Sequence, residues 1–279
     1  MPGQPPSEEV LRFEDVSLYF DDAPALDHVS FALGAGETRV VFGVAGSGKT
    51  TLVKVALGLV KPDSGRVFVF GQDVTNLKES DWFDIRARMG ILFQEGGLFD
   101  SMTIAENVAY PLVNQHALSL RGAHTQNGHV EEKVREALRF VELEQTLDKF
   151  PSELSGGMRR RVGIARAIVT GPPLLLYDSP TAGLDPITAN TIINLILKER
   201  DLRNAASIMV THRFQDGHLM ANFRYNPSSS QNEIVPLEGA GGGPLKTKYF
   251  VMNGGRLVFE GTQLELIASQ DPYVRKFAK

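Results

Sequence analysis

Residues Gly43-Val44-Ala45-Gly46-Ser47-Gly48-Lys49-Thr50 set glycines, a lysine and a hydroxyl at the spacing G-x-x-x-x-G-K-T. The apolar run Thr38 to Phe42 leads into them, and the helical-looking TTLVKVALGL follows. In that context the chemistry is phosphate binding. Glycines let backbone N–H groups curl around phosphate oxygens, and the start of the next helix adds partial positive charge. Lys49 is expected at the terminal phosphates and Thr50 on a magnesium ion, with Thr51 beside them in the first helical turn. The plain alternative is a Gly-rich strand-to-helix turn. A phosphate loop also requires a carboxylate to organise magnesium, and Asp178 stands where the apolar stretch Leu174-Leu175-Leu176-Tyr177 ends. An Asp at a strand end is common by chance, and its company with the loop singles it out. Between the two, Leu154-Ser155-Gly156-Gly157-Met158 precedes the helix-forming RRRVGIARAIV. Ser155 suits a helix N-cap, but capping explains neither glycine.

These residues need elements to hold them. From Val10 to Leu33, VLRFEDVSLYF and LDHVSFAL alternate apolar with polar residues, and GRVFVFGQDV from Gly65 repeats the pattern, as strands with one buried face do. They read as an antiparallel patch. TRVVF, PLLLY and SIMVT are nearly continuous apolar runs, suited to a parallel sheet covered by helices on both faces. In VEEKVREALRFVEL, Val130, Val134, Leu138 and Val141 recur at helical spacing, consistent with a separate helical lobe. NPSSSQNEIVPLEGAGGGPL holds 7 Gly or Pro in 20 residues and reads as a surface insertion, a solvated loop or a partner contact. YFVMNGGRLVFEG and the helical-looking QLELIASQDPYVRKFAK complete the pattern.

With 42% apolar residues the 279-residue chain can build a sizeable core, and a net charge of −4 offers no general attraction to nucleic acid. The absence of cysteine excludes disulfides and Cys-bearing metal sites. No basic start followed by an apolar core marks an export signal, and no run approaches the roughly 18 apolar residues of a membrane span. A soluble, unexported chain is expected.

Taken in order, the phosphate loop, the LSGG segment and the apolar strand ending in Asp178 resemble the ATP-binding cassette (ABC) ATPases. The resemblance runs from about Leu11 to Lys279, omitting the insertion. It implies an α/β fold: a P-loop NTPase cassette with a mostly parallel core sheet, an antiparallel β subdomain and a helical subdomain. Residues 1–9 are then a flexible N-terminus and 10–279 a single ATPase domain, with the helical subdomain at about 96–170 and the insertion at about 222–246. ATP and Mg2+ are the implied cofactors, bound through Gly43 to Thr51. In that family the signature of one copy closes over ATP on the phosphate loop of a second, which puts Ser155, Gly156 and Gly157 to work in trans in a head-to-tail dimer. Gln94, in ILFQEGG, matches the Q-loop residue that senses magnesium and the transporter subunit. Asp185, in AGLDP, matches the D-loop, and His212, in IMVTHR, matches the switch histidine at the terminal phosphate. Phe20 lies 23 residues before the phosphate loop, where the family sets an aromatic ring against adenine, although a Phe ending an alternating strand also suits core packing.

One position departs from the family. After the magnesium-associated Asp it places a Glu that polarises the attacking water, whereas this chain reads Asp178-Ser179-Pro180. Serine is a poor proton acceptor without its own base, so the catalytic role does not transfer to Ser179, whose hydroxyl can still orient a water. Within the family, FQEGGLFDSMTIAENVAYPL, LSGGM and DPYVRKFAK look like the Mla and Mce-associated ATPases of bacterial lipid transport. That likeness implies two copies under two permease subunits at the cytoplasmic face of the inner membrane, a periplasmic Mce-domain lipid-binding partner and, as an optional component, a small cytoplasmic regulator. No nucleic acid partner is implied. The alternatives are the ATPase of a different ABC importer or exporter, and a non-hydrolysing nucleotide-dependent scaffold. A cassette acting on ribosomes or DNA is expected to carry a second cassette or a large added domain. A GTPase is disfavoured because no Asn-Lys-x-Asp follows the loop.

Overall fold

The computed structural model describes residues 9–94, 96–119, 127–228, 233–237 and 247–278. The first two strands, β1 (Glu9–Phe20) and β2 (Ala23–Gly34), pair antiparallel, with Phe20 opposite Ala23. The wholly buried β3 (Thr38–Gly43) then runs into α1 (Lys49–Ala56). β4 (Ser64–Val69) and β5 (Gln72–Asp73) return to β1 and complete an antiparallel sheet in the order β2-β1-β4-β5. The alternating segments thus form one antiparallel layer, as their period requires.

The chain continues through α2 (Trp82–Arg86), β6 (Met89–Leu92), α3 (Ile104–Ser119), α4 (Asn127–Phe140), α5 (Gly156–Ile168), β7 (Leu174–Asp178), α6 (Pro186–Arg203) and β8 (Ala206–Val210). After α7 (Phe214–Asn222) come the short strands β9 (Phe223–Tyr225) and β10 (Ile234–Pro236), then β11 (Thr247–Asn253), β12 (Arg256–Gly261) and α8 (Gln263–Ala268). The core sheet has the order β12-β11-β3-β8-β7-β6, parallel throughout except for the antiparallel edge β12. Its apolar runs are continuous because both faces are covered. Val40, Phe42, Leu175, Tyr177, Met209, Tyr249 and Val251 pack on the side of α3 to α6. Val41, Leu174, Leu176, Ile208, Val210 and Phe250 pack with α1 and the antiparallel sheet.

β6 escaped the sequence patterns because MGIL is short and interrupted by Gly90. A side chain there would run into the Ala167 carbonyl of α5, so the glycine lets helix and strand approach closely.

The expected N-terminal tail falls almost wholly on residues 1–8, outside the described residues, as do 120–126 of the helical stretch and 229–232 and 238–246 of the insertion. Described parts of the insertion pair as the antiparallel strands β9 and β10. Buried Arg200 of α6 donates to the Met220 and Phe223 carbonyls at 2.5 and 2.9 Å, and the Asp201 carboxylate accepts from Tyr225 N–H at 2.7 Å. These bonds fix the root of β9.

Candidate nucleotide site

The carboxyl ends of parallel strands converge on one edge of the sheet, where an open α/β fold binds its ligands. Here the register places Gly43 of β3 beside Met252 of β11, and Asp178 of β7 beside Val210 of β8. The Gly43 to Thr50 loop joins β3 to α1 across this edge. Gly48 stands at the helix N-cap with φ 101°, where a side chain would strike the Ala25 carbonyl, so both conformation and space require glycine. Lys49 is only 6% exposed, and its ammonium donates to the Gly43 and Val44 carbonyls at 2.9 and 2.7 Å. Burial lowers its pKa and the Asp178 carboxylate pulls it back up. Thr50 is exposed at the first helical turn and Thr51 half-buried. Both line a cavity of about 310 Å³ with Phe20, Ala23 to Ala25 and Gly46 to Lys49. Phe20 is 54% exposed there, which removes core packing as the account of it.

His212 lies two residues past Val210. Its pKa is lowered by burial and then by Lys49, against opposing contributions from Asp178 and the Gly43 backbone, so the imidazole is biased toward the neutral form. Lys49, Asp178 and His212 therefore share one electrostatic neighbourhood. Ser179 is buried with φ 54°, its N–H bonded to the Val210 carbonyl at 3.0 Å and its hydroxyl to Asp178 Oδ1 at 3.2 Å.

The sequence reading missed Asp216, at the start of α7 four residues after His212. Its buried carboxylate accepts from Thr181 and Thr211 hydroxyls at 2.5 and 2.6 Å, tying the chain after Ser179 to the chain before His212. An acidic residue so close behind a candidate site histidine was the available signal.

The remaining candidates are held by α5, α6 and the loop after β6. Gln94 presents an exposed side chain, while its carbonyl accepts from Arg160 Nε at 2.8 Å. The adjoining Gly96 and Gly97 carbonyls accept from Arg166 at 3.0 and 2.7 Å, so α5 grips the backbone of this loop. Ser155 caps α5 by accepting from Met158 N–H at 3.2 Å. A Cβ on Gly157 would stand 2.5 Å from Thr188 Cγ2, which gives this glycine a packing reason as well. Asp185 caps α6, accepting from Ile187 and Thr188 N–H groups at 3.0 Å each, and the Thr188 side chain, followed by these backbone bonds, lowers its pKa. Among the described residues, the bonds of Ser155 and Asp185 are to their own helix starts.

The donor set fits a magnesium nucleotide. Phosphate would meet a glycine-rich loop, the first turn of α1 and the buried ammonium of Lys49. Among the described residues no group of three or more His, Cys, Asp or Glu side chains could hold a metal alone. A magnesium ion held by Thr50 and Asp178 would thus depend on phosphate oxygens and waters, its usual coordination.

This loop on this sheet edge defines a nucleotide-binding cassette. The chain belongs to the ABC transporter family, whose pattern it matches over residues 26–182. It is 33% identical over 279 aligned residues to the methionine import ATP-binding protein MetN of Bifidobacterium longum, covering 97% of this chain but 61% of that protein. To the intermembrane phospholipid transport system ATP-binding protein MlaF of Haemophilus influenzae it is 29% identical over 273 residues, covering 98% of this chain and 91% of MlaF. A dimeric ATP-binding cassette solved with ADP and Pi superposes with a TM-score of 0.74 at 25% identity, covering 91% of this chain and 98% of that one. The chain thus spans less than two thirds of the methionine-import relative. Among the described residues no helix is long and apolar enough to cross a membrane.

Proposed function

We propose that this chain is the ATP-binding subunit of a bacterial transporter that moves lipid between membranes, working as a head-to-tail pair with composite nucleotide sites. The convergence of Lys49, Asp178 and His212 beside the phosphate loop carries the nucleotide part. When bound, magnesium ATP supplies the reactive phosphoanhydride. Lys49 neutralises terminal phosphate charge, Thr50 and Asp178 hold the metal, His212 meets the terminal phosphate and Phe20 stacks on adenine. Ser155, Gly156 and Gly157, with Asp185, serve the site of the second copy. Gln94 reports occupancy to the permease through a loop whose backbone α5 holds.

Lipid as cargo is supported by the near full-length likeness to MlaF, against a methionine-import relative that is much longer than this chain. The reading includes permease subunits in the inner membrane, attachment at its cytoplasmic face and an Mce-domain partner. Purifying the native complex in mild detergent and identifying its proteins and lipids tests it. A lipid-binding partner with bound phospholipid is expected; recovery with a methionine permease and no lipid-binding partner refutes the cargo and leaves the nucleotide site standing. Ser179 favours a second feature, slow intrinsic hydrolysis with intact nucleotide binding.

A further inference from the structure

The segment Asp271–Phe277 meets the start of the phosphate loop and the strands β3 and β11 beside it. Asp271 Oδ1 accepts from the Tyr273 and Val274 N–H groups at 2.7 and 3.3 Å, starting a short 3-10 turn whose Val274 is buried. The Phe277 ring lies 6.0 Å from that of Phe42 at an interplanar angle of 15°, and Tyr273 meets Phe277 edge-on at 5.4 Å. Phe42 is the residue immediately before Gly43. The Tyr273 ring is therefore seated against Phe277, which stacks on the strand that feeds the loop. Its hydroxyl donates to the Met252 carbonyl at 2.9 Å and accepts from Val44 N–H at 3.4 Å.

Val44 N–H and the Gly43 carbonyl belong to one peptide unit. In a planar trans unit the two point in opposite directions. Holding the N–H on Tyr273 therefore turns the carbonyl inward, where it accepts from Lys49 Nζ at 2.9 Å. Gly43, at φ 156°, has no Cβ to resist turning of this unit, and a Cβ there would stand 2.6 Å from the Met252 carbonyl oxygen. One carbonyl thus both demands glycine at position 43 and anchors the hydroxyl that holds the next N–H.

We propose that Tyr273 is a positioning residue of the phosphate loop: its hydroxyl fixes the Gly43–Val44 peptide so that the Gly43 carbonyl holds Lys49 in place before nucleotide arrives. The proposal deepens the reading of this loop as the ATP site and rests on it for the effect on affinity. A loop ordered in advance loses less freedom on binding. Tyr273 reaches phosphate only through the loop backbone.

Tyr273→Phe keeps the ring and its packing and removes the hydroxyl alone. Three measurements on the full chain separate the outcomes: thermal melting, amide hydrogen exchange without nucleotide, and magnesium-ATP affinity by calorimetry. The expected result is a melting temperature close to wild type, faster exchange confined to Gly43–Lys49, and affinity weakened about 2–13-fold, the range of one neutral hydrogen bond. Unchanged exchange in that window overturns the proposal, as does faster exchange spread over the whole chain with a lowered melting temperature, which marks a merely structural contact. If Tyr273→Phe does not fold, Phe277→Leu loosens the same ring seat and must raise exchange in the same window for the proposal to stand. If wild-type protein binds no ATP, the nucleotide reading fails by itself, and the exchange comparison still decides the brace. If wild type binds and Tyr273→Phe binds equally well, the positioning role fails.

Discussion

Replacing Ser179 with Glu tests whether the missing carboxylate sets the rate of hydrolysis. The backbone at position 179 is held by the bond from Ser179 N–H to the Val210 carbonyl at 3.0 Å and by Ala182 N–H on the Ser179 carbonyl at 3.1 Å. Its φ of 54° is already left-handed, so Glu inherits much the same backbone cost that Ser bears. The substitution removes the hydroxyl bond to Asp178 and sets a second carboxylate next to it. Repulsion from Asp178 raises the pKa of the new carboxyl, which moves a general base toward its working range. A positioned base contributes roughly 10²–10⁴-fold, or about 3–5 kcal/mol of barrier. Part of this is lost to the crowding of two carboxylates, so a gain of at least about tenfold is the floor. Single-turnover hydrolysis at saturating magnesium ATP is the assay, because slow product release can hide the gain in steady-state turnover. Wild-type protein should bind ATP but turn it over slowly. No gain in a folded, ATP-binding variant, together with fast wild-type hydrolysis, refutes the reasoning and points to a different base.

Four further outcomes are expected. Lys49→Ala should sharply weaken ATP binding in folded protein, and calorimetry showing wild-type affinity would remove Lys49 from the site. Phe20→Ala should weaken ATP affinity about 2–13-fold, the worth of an aromatic stack, with little change in melting temperature because the ring is half exposed. Gly157→Ala should lower stability by about 1–3 kcal/mol through overpacking against Thr188, and Thr188→Ser, which removes the opposing methyl, should recover most of it in a denaturant-unfolding cycle. Glu199 of α6 is fully buried, 3.2 Å from Arg203 Nε but without hydrogen-bond alignment, and burial pushes its pKa up from 4.5 to about 7. The native state then holds the proton more tightly than the unfolded chain, so this contribution is full at low pH and is lost as pH rises from about 4.5 through 7, by about 3 kcal/mol. Glu199→Gln should flatten that decline in urea unfolding measured from pH 5 to 8, and an unchanged slope would show that another group causes it.

The elements legible in the residues were those whose period or length is strongly marked. β1, β2, β3, β7, β8 and β11 stand out because alternation reports one buried face and continuous apolar runs report two. β6 stayed hidden because four residues around a glycine carry too little pattern, β10 because it sits inside a stretch whose Gly, Pro and Ser content reads as loop, and β9 because its three residues are too few to show alternation. The phosphate loop was legible because its chemistry is local: glycine conformation, lysine and hydroxyl all lie within eight residues.

By itself the sequence determined the phosphate loop, the strand ending in Asp178, the caplike Ser155 and the missing carboxylate at position 179, each a matter of residue type at short spacing. Tertiary structure alone decided what meets across the sheet edge. That Asp216 joins Thr181 to Thr211, that Gly157 must stay small beside Thr188 and that Tyr273 reaches Val44 all depend on which strands lie side by side. Parallel pairing of β3 with β8 and β11 brings together residues up to about two hundred positions apart. No local pattern encodes such contacts, because their energy comes from burial and hydrogen bonds that exist only once the layers have closed.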